Sequence, residues 1–394
     1  MTLSRRLDGV SESATLKLNA AVQAMKAQGI DVVNLTAGEP DFAVPDAAKE
    51  AVIESLKLNR SKYTPVGGIP ELRTLVAEKT NRQQGGNWKA SHVIVSNGGK
   101  QALFNSFLAL LNPGDEVLIP SPYWLSYPEM VKLTGGTPKF IEAKFENDFK
   151  ITPDQLKAAL GPKVKMIIFN SPSNPTGAMY SHAEYAALGK VLEAAPHVWV
   201  ISDEIYDRIT FGKEPFCSFL QASPQLRDRT ITVNGMSKSA AMTGWRIGWS
   251  VAPDEVTQGI ATVQGQSTSG INALAQWASV AALKLPESTF SGQVESFRFR
   301  RDLTLEILRK AGKIKVVVPD GAFYLFLGVG AYLRPGEDSV TFAENLLEHA
   351  KVAMVPGAPF GAPNYVRLSY ATDEKSLRSG TERLVKFLED RSKT

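Results

Sequence analysis

Val233-Asn234-Gly235-Met236-Ser237-Lys238-Ser239-Ala240-Ala241-Met242-Thr243-Gly244-Trp245-Arg246-Ile247-Gly248-Trp249 is the stretch on which the reading of this chain turns. The β-branched, apolar run Thr230 to Val233 that leads into it reads as a buried strand, and the small residues after it let a loop approach a ligand closely. Desolvation and a nearby cation both lower an ammonium pKa. Lys238, eight residues before Arg246, therefore reads as an amine able to be neutral and to form a Schiff base. The alternative is a solvated loop lysine, the commoner fate of lysines in general. The rest of the chain decides between them.

From Ser91 to Val251, strand-like runs alternate with helical stretches: Val93 to Val95, Val117 to Pro120, Phe140 and Ile141, Val164 to Phe169, Val198 to Ile201, Thr230 to Val233, and Ile247 to Val251. This pattern predicts an α/β domain around a mostly parallel sheet of seven strands. Residues 13–28 predict an amphipathic helix with Leu18, Val22 and Met25 on one face and Gly29 at its end. Beyond Pro286, helices mix with three expected strands near Val316, Tyr324 and Val366. The expected division is a large α/β domain over 45–285 and a smaller α+β domain built from 1–44 and 286–394.

A chain of 394 residues, 43% hydrophobic, has the apolar content for two cores. Its net charge of +4 and its lack of a dense basic run argue against nucleic acid as a partner. The single cysteine, Cys217, excludes an intramolecular disulfide framework and suits a reducing compartment. Arg5 and Arg6 are followed by Asp8, Ser11 and Glu12 rather than an apolar segment, and no run approaches membrane-spanning length. A cytoplasmic protein without a membrane partner is expected.

Ser96-Asn97-Gly98-Gly99-Lys100-Gln101-Ala102-Leu103 leaves a predicted strand and opens a helix, a setting in which backbone amides bind anions. It lacks the Walker A spacing, and a tight turn is the competing reading. Ser171-Pro172-Ser173-Asn174-Pro175-Thr176-Gly177 lies at a strand's C-terminal end, where open α/β sheets bind ligands, although Asn-Pro turns arise for local reasons as well. In Ser202-Asp203-Glu204-Ile205-Tyr206 a carboxylate follows a buried strand, where it needs a partner. A pyridinium nitrogen would serve, and so would the start of a following helix.

With Leu35-Thr36-Ala37-Gly38-Glu39-Pro40-Asp41-Phe42, Lys62-Tyr63-Thr64-Pro65, Ser121-Pro122-Tyr123-Trp124 and Val366-Arg367-Leu368-Ser369-Tyr370, these segments resemble the fold-type I pyridoxal-phosphate-dependent aminotransferases. Within that family they are most similar to the class I aspartate aminotransferases of the bacterial type, from about Leu3 to the C-terminus. The resemblance implies a ping-pong exchange of an amino group between L-aspartate and 2-oxoglutarate on pyridoxal 5′-phosphate, in a homodimer with shared active sites. It gives Lys238 the Schiff base and the proton shuttle, and Asp203 the pyridine nitrogen. Asn174 and Tyr206 would meet the phenolic oxygen, and Trp124 would stack on the ring. Gly98, Gly99, Lys100, Ser237 and Arg246, with Tyr63 of the partner subunit, would hold the phosphate. Arg367 would grip the α-carboxylate beside Gly38 and Asn174. Lys100, with Thr15 nearby, would meet the distal carboxylate. The Ser121-Pro122 and Asn174-Pro175 bonds would be cis.

The alternative enzyme is a prephenate or broader aromatic/dicarboxylate aminotransferase on the same site, and some relatives that also accept prephenate carry a basic residue shortly after the Arg-Arg pair. Ser11 and Glu12 stand there in this chain, which counts against that second activity. The rival of another class is a non-catalytic sensor on the same fold, such as the effector domain of a transcription regulator, and it is disfavoured because a resemblance starting near Leu3 is expected to leave no room for an N-terminal DNA-binding helix-turn-helix.

Overall fold

The computed structural model describes residues 3–393, the side chain of Leu16 apart. After a short strand β1 (Val33–Asn34) come seven that form one sheet: β2 (Val93–Asn97), β3 (Glu116–Ser121), β4 (Thr137–Glu142), β5 (Val164–Asn170), β6 (Trp199–Asp203), β7 (Thr230–Gly235) and β8 (Ile247–Val251). Their spatial order is β2-β8-β7-β6-β5-β3-β4. Only β8 runs against its neighbours, so the sheet is mostly parallel, as expected.

Helices cover both faces of this sheet, which is why its strands read as continuous apolar runs rather than alternating ones. Val93, Val95, Leu118, Ile167 and Val200 pack into one core, while Ile94, Val117, Met166, Ile168 and Ile201 pack into another. The two cores draw alternate residues from the same strands, the period-2 signature of a sheet buried on both sides.

The C-terminal strands are β9 (Lys315–Val316), β10 (Tyr324–Gly328), β11 (Val352–Ala353), β12 (Val355–Pro356) and β13 (Tyr365–Ser369). An antiparallel sheet β12-β13-β10-β9 contains the three expected strands and adds β12. β1 pairs in parallel with β11, which ties the N-terminal segment to this part of the chain. The helix expected over 13–28 is Ala14–Ala27, with Leu18, Val22 and Met25 packed alongside Val32 and Ala353. Gly29 adopts φ 78°, a conformation most side chains avoid, and its N–H closes the helix on the Lys26 carbonyl.

The C-terminal ends of β5, β6 and β7 lie side by side, with Asn170 opposite Asp203 and Asp203 opposite Val233. The Ser121-Pro122 and Asn174-Pro175 bonds are cis, and so is Ser171-Pro172. Among the described residues no helix is long and apolar enough to cross a membrane, and no cluster of side chains could hold a metal ion.

Candidate active site

A cavity of about 300 Å³ opens at this edge of the sheet. Thr15, Gly38, Gly99, Lys100, Trp124, Asn174, Asp203, Tyr206, Ser237, Lys238, Arg246 and Arg367 all line it. Two of the residues singled out in the sequence do not. Gly98 lies just behind the wall as the residue before the helix Gly99–Leu110. Tyr63 stands on the surface, 99% exposed, in a separate concavity with Ser61 and Gly270.

Lys238 sits on a single helical turn, Met236–Ser239, directly after β7 rather than on an open loop. Its Nζ donates to the Gly38 carbonyl. Burial brings its pKa down to about 8; Glu39 and Asp203 oppose the shift, while Arg367 and Arg246 add to it. A fraction of the amine is thus neutral at ordinary pH.

Asp203 ends β6 and is 5% exposed. Instead of capping a helix, its Oδ1 accepts from the Ile205 N–H at 3.2 Å and its Oδ2 from the Tyr127 hydroxyl at 2.7 Å. Burial raises the carboxyl to about 6, against the pull of Tyr127, Ile205 and Lys238. No lysine or arginine of the described residues forms an ion pair with it, so a buried carboxylate faces the cavity without a full cationic partner.

The start of the Gly99–Leu110 helix, with Lys100 in its first turn, lines the cavity together with Ser237 and Arg246. Amide N–H groups at a helix start are unpaired within the helix and suit an anion. A side chain at residue 98 would put its Cβ 2.5 Å from Arg246 Nη2, and Gly98 adopts φ 87°. Glycine there is what allows the guanidinium to lie against the turn. Burial, then Arg246, lowers the Lys100 pKa, and its ammonium lies 5.1 Å from the Trp124 ring centroid.

Arg367, on β13, is 2% exposed. Its guanidinium donates to Asn174 Oδ1 and to the Thr36 carbonyl, both at 2.9 Å, and lies over the Tyr324 ring. Its Nε has no partner, and no carboxylate of the described residues pairs with it. A buried guanidinium left in this state calls for an anion.

The sequence profile of "Aminotransferase class I and II" matches residues 30–384. The chain is 42% identical over 394 residues to the aspartate aminotransferase of Geobacillus stearothermophilus, covering 100% of both chains. It is 44% identical to the aspartate/prephenate aminotransferase of Cereibacter sphaeroides, covering 98% of each. The solved aspartate aminotransferase of Thermus thermophilus with maleate superimposes with a TM-score of 0.93 at 43% identity, over 98% of this chain and 99% of that one.

The chain belongs to the class I and II aminotransferases.

This aminotransferase works with pyridoxal 5′-phosphate, and the donor set fits that group. An amine at the cavity floor suits the aldehyde, an unpaired buried carboxylate suits the ring nitrogen, and a helix start with an arginine suits the phosphate. Three residues of the aminotransferase site were not singled out in the sequence. Tyr127 bonds Asp203, Tyr324 Oη lies 3.0 Å from Tyr206 Oη, and Asn170 accepts from the Asn174 N–H at 2.9 Å. Asn170 ends β5 opposite Asp203, so its place at a strand terminus was a usable signal. Tyr127 and Tyr324 carried none, because tyrosine is common on half-buried helices and strands alike.

Proposed function

We propose that this aminotransferase moves an amino group between L-aspartate and 2-oxoglutarate, with Lys238 as the base at the substrate's Cα. Arg367 carries the reading: a buried guanidinium short of an anion shares one cavity with a second cation, Lys100, and with an amine of lowered pKa. Two cationic grips suit a substrate with a carboxylate at each end.

When bound, pyridoxal 5′-phosphate supplies an aldehyde that takes up an amine and a pyridinium ring that draws electron density from Cα. The protein does the rest. Asp203 would hold the ring N–H, while Asn174 and Tyr206 would donate to the phenolic oxygen. Gly98, Gly99, Ser237 and Arg246 would fix the phosphate, and Trp124 would cover the ring and keep water from it. Arg367 would orient the α-carboxylate so that the Cα proton faces Lys238, whose neutral Nζ would take it and, as the ammonium, give it up at the cofactor carbon C4′. Lys100, with Thr15 nearby, takes the far carboxylate, and the Gly38 main chain bounds the substrate.

The test is Lys100→Ser. Its kcat/KM for aspartate should fall by about 2 to 3 kcal/mol of transition-state stabilisation, while alanine and phenylalanine are hardly affected. Equal losses across donors, with weaker cofactor binding, would assign Lys100 to the phosphate instead.

Prephenate is the second reading, favoured by the double name of the Cereibacter sphaeroides relative. Against it, Ser11 and Glu12 carry no positive charge, and neither of them lines the cavity. A panel of amino donors and acceptors on one preparation ranks the two.

We propose further that the enzyme is a homodimer in which Tyr63 completes the phosphate site of the partner subunit. A tyrosine 99% exposed does no packing in its own chain, and exposed Ile53, Leu56 and Leu58 precede it in sequence. Mixing inactive Lys238→Ala with inactive Tyr63→Ala protein should restore hybrid sites with both residues intact. No recovery despite proven subunit exchange would remove the shared site. The same reading divides the chain into 45–285 and 1–44 with 286–394, supported by the separation of the seven-stranded sheet from β9–β13, and places the protein in the cytoplasm.

A further inference from the structure

Tyr127 is 2% exposed and lies in the first turn of the helix Ser126–Leu133, its N–H bonded to the Trp124 carbonyl at 2.9 Å. Its hydroxyl reaches Asp203 Oδ2 at 2.7 Å. Its ring meets the Trp124 ring edge-on, with centroids 5.3 Å apart and planes at 87°. One side chain therefore touches both the carboxylate and the indole of the cavity.

We propose that Tyr127 is a positioning residue for the cofactor ring: its hydroxyl holds Asp203 ionised and aimed, and its ring fixes Trp124, so that the ring nitrogen keeps its proton. The inference rests on the reading that Asp203 meets that nitrogen. Among the described residues the Asp203 carboxylate accepts from the Tyr127 hydroxyl and from the Ile205 backbone N–H, and Asn170 Nδ2 donates to the Asp203 backbone carbonyl at 3.0 Å. A hydrogen bond to the charged form of a buried acid lowers its proton affinity. Removing the Tyr127 hydroxyl makes the carboxylate more basic, and the shared proton moves from the ring nitrogen toward Asp203. The hydroxyl itself stays protonated, because burial and then the Asp203 charge push it well above the ordinary tyrosine range. The other titratable groups facing the pair are Lys238, Tyr206 and Tyr185.

The experiment uses holoenzyme reconstituted with pyridoxal 5′-phosphate labelled with ¹⁵N in the ring. Tyr127→Phe keeps the edge contact and loses the donor. Its nitrogen resonance should move toward the unprotonated position, and the cofactor dissociation constant should rise on the order of tenfold, the scale of a hydrogen bond to a charged group. A ring-fluorinated tyrosine at position 127, a stronger donor of nearly the same shape, should move the resonance the opposite way. A purely structural role would give no such reversal, and the melting temperature of each apoprotein shows that the fold survives. If Asp203→Ala moves the resonance while both Tyr127 variants leave it unchanged, the role of Tyr127 is overturned and that of Asp203 stands. If Asp203→Ala leaves it unchanged, the reading of Asp203 fails and the proposal falls with it.

Discussion

Lys238→Ala protein is expected to fold, to bind pyridoxal 5′-phosphate more weakly, and to turn aspartate over at least about 10⁴-fold more slowly than the parent. The size of the loss follows from one amine holding two duties, attachment of the cofactor and transfer of the Cα proton. Lys238 is the lysine whose Nζ is held at the cavity floor by the Gly38 carbonyl, and no other residue of its helical turn can supply an amine. Folding should be little affected, since burial costs the Lys238 ammonium more than the attraction of Glu39 and Asp203 returns. Borohydride treatment of the parent holoprotein, followed by peptide mapping, should place the cofactor on Lys238. Finding it on another lysine would overturn the assignment.

Arg367→Ala should lower kcat/KM for every amino donor by roughly 10²- to 10³-fold, about 3 to 4 kcal/mol, the cost of removing one partner from a buried, hydrogen-bonded charge pair. The loss should be common to aspartate, glutamate and alanine, because all present the same α-carboxylate. This uniformity contrasts with the selective loss expected of Lys100→Ser. Arg367→Lys should recover only part of the activity, since a point charge cannot keep the bonds to Asn174 and Thr36 and still offer a fork to a carboxylate. Steady-state kinetics with three donors decides the matter. A loss confined to the dicarboxylic donors would move Arg367 to the distal end of the substrate.

The strands of the large sheet were legible because burial on both faces forces continuous runs such as Met166 to Phe169 and Ile231 to Val233, which stand out from any helical period. β1, β11 and β12 were not: each is two residues long, and one includes Pro356, which speaks against a strand. In the site, residues at strand ends or in glycine-rich turns could be found because the chemistry of their position is unusual. Asp203 is such a case, a carboxylate directly after an apolar strand. Its partner Tyr127 could not be found, since nothing in Ser126-Tyr127-Pro128 says which strand end the hydroxyl reaches. The contact spans 76 residues and exists only once the sheet has formed.

The pairing of β1 with β11 joins a segment synthesised early to one synthesised late. Val33 and Asn34 meet Val352 and Ala353, and Leu35 accepts from the Ser369 N–H next to the Arg367–Thr36 bond. The strands of the large sheet, ending at Val251, leave the ribosome well before Ser369 does. At about 5 to 20 residues per second the interval is on the order of 6 to 24 s. Through that time the amine, the carboxylate and the helix start can already stand together while the N-terminal segment waits for its pairing strand. Arg367, the proposed grip on the substrate's carboxylate, is thus the last of the cavity's residues to be synthesised, and those proposed to hold the cofactor, up to Arg246, all precede it.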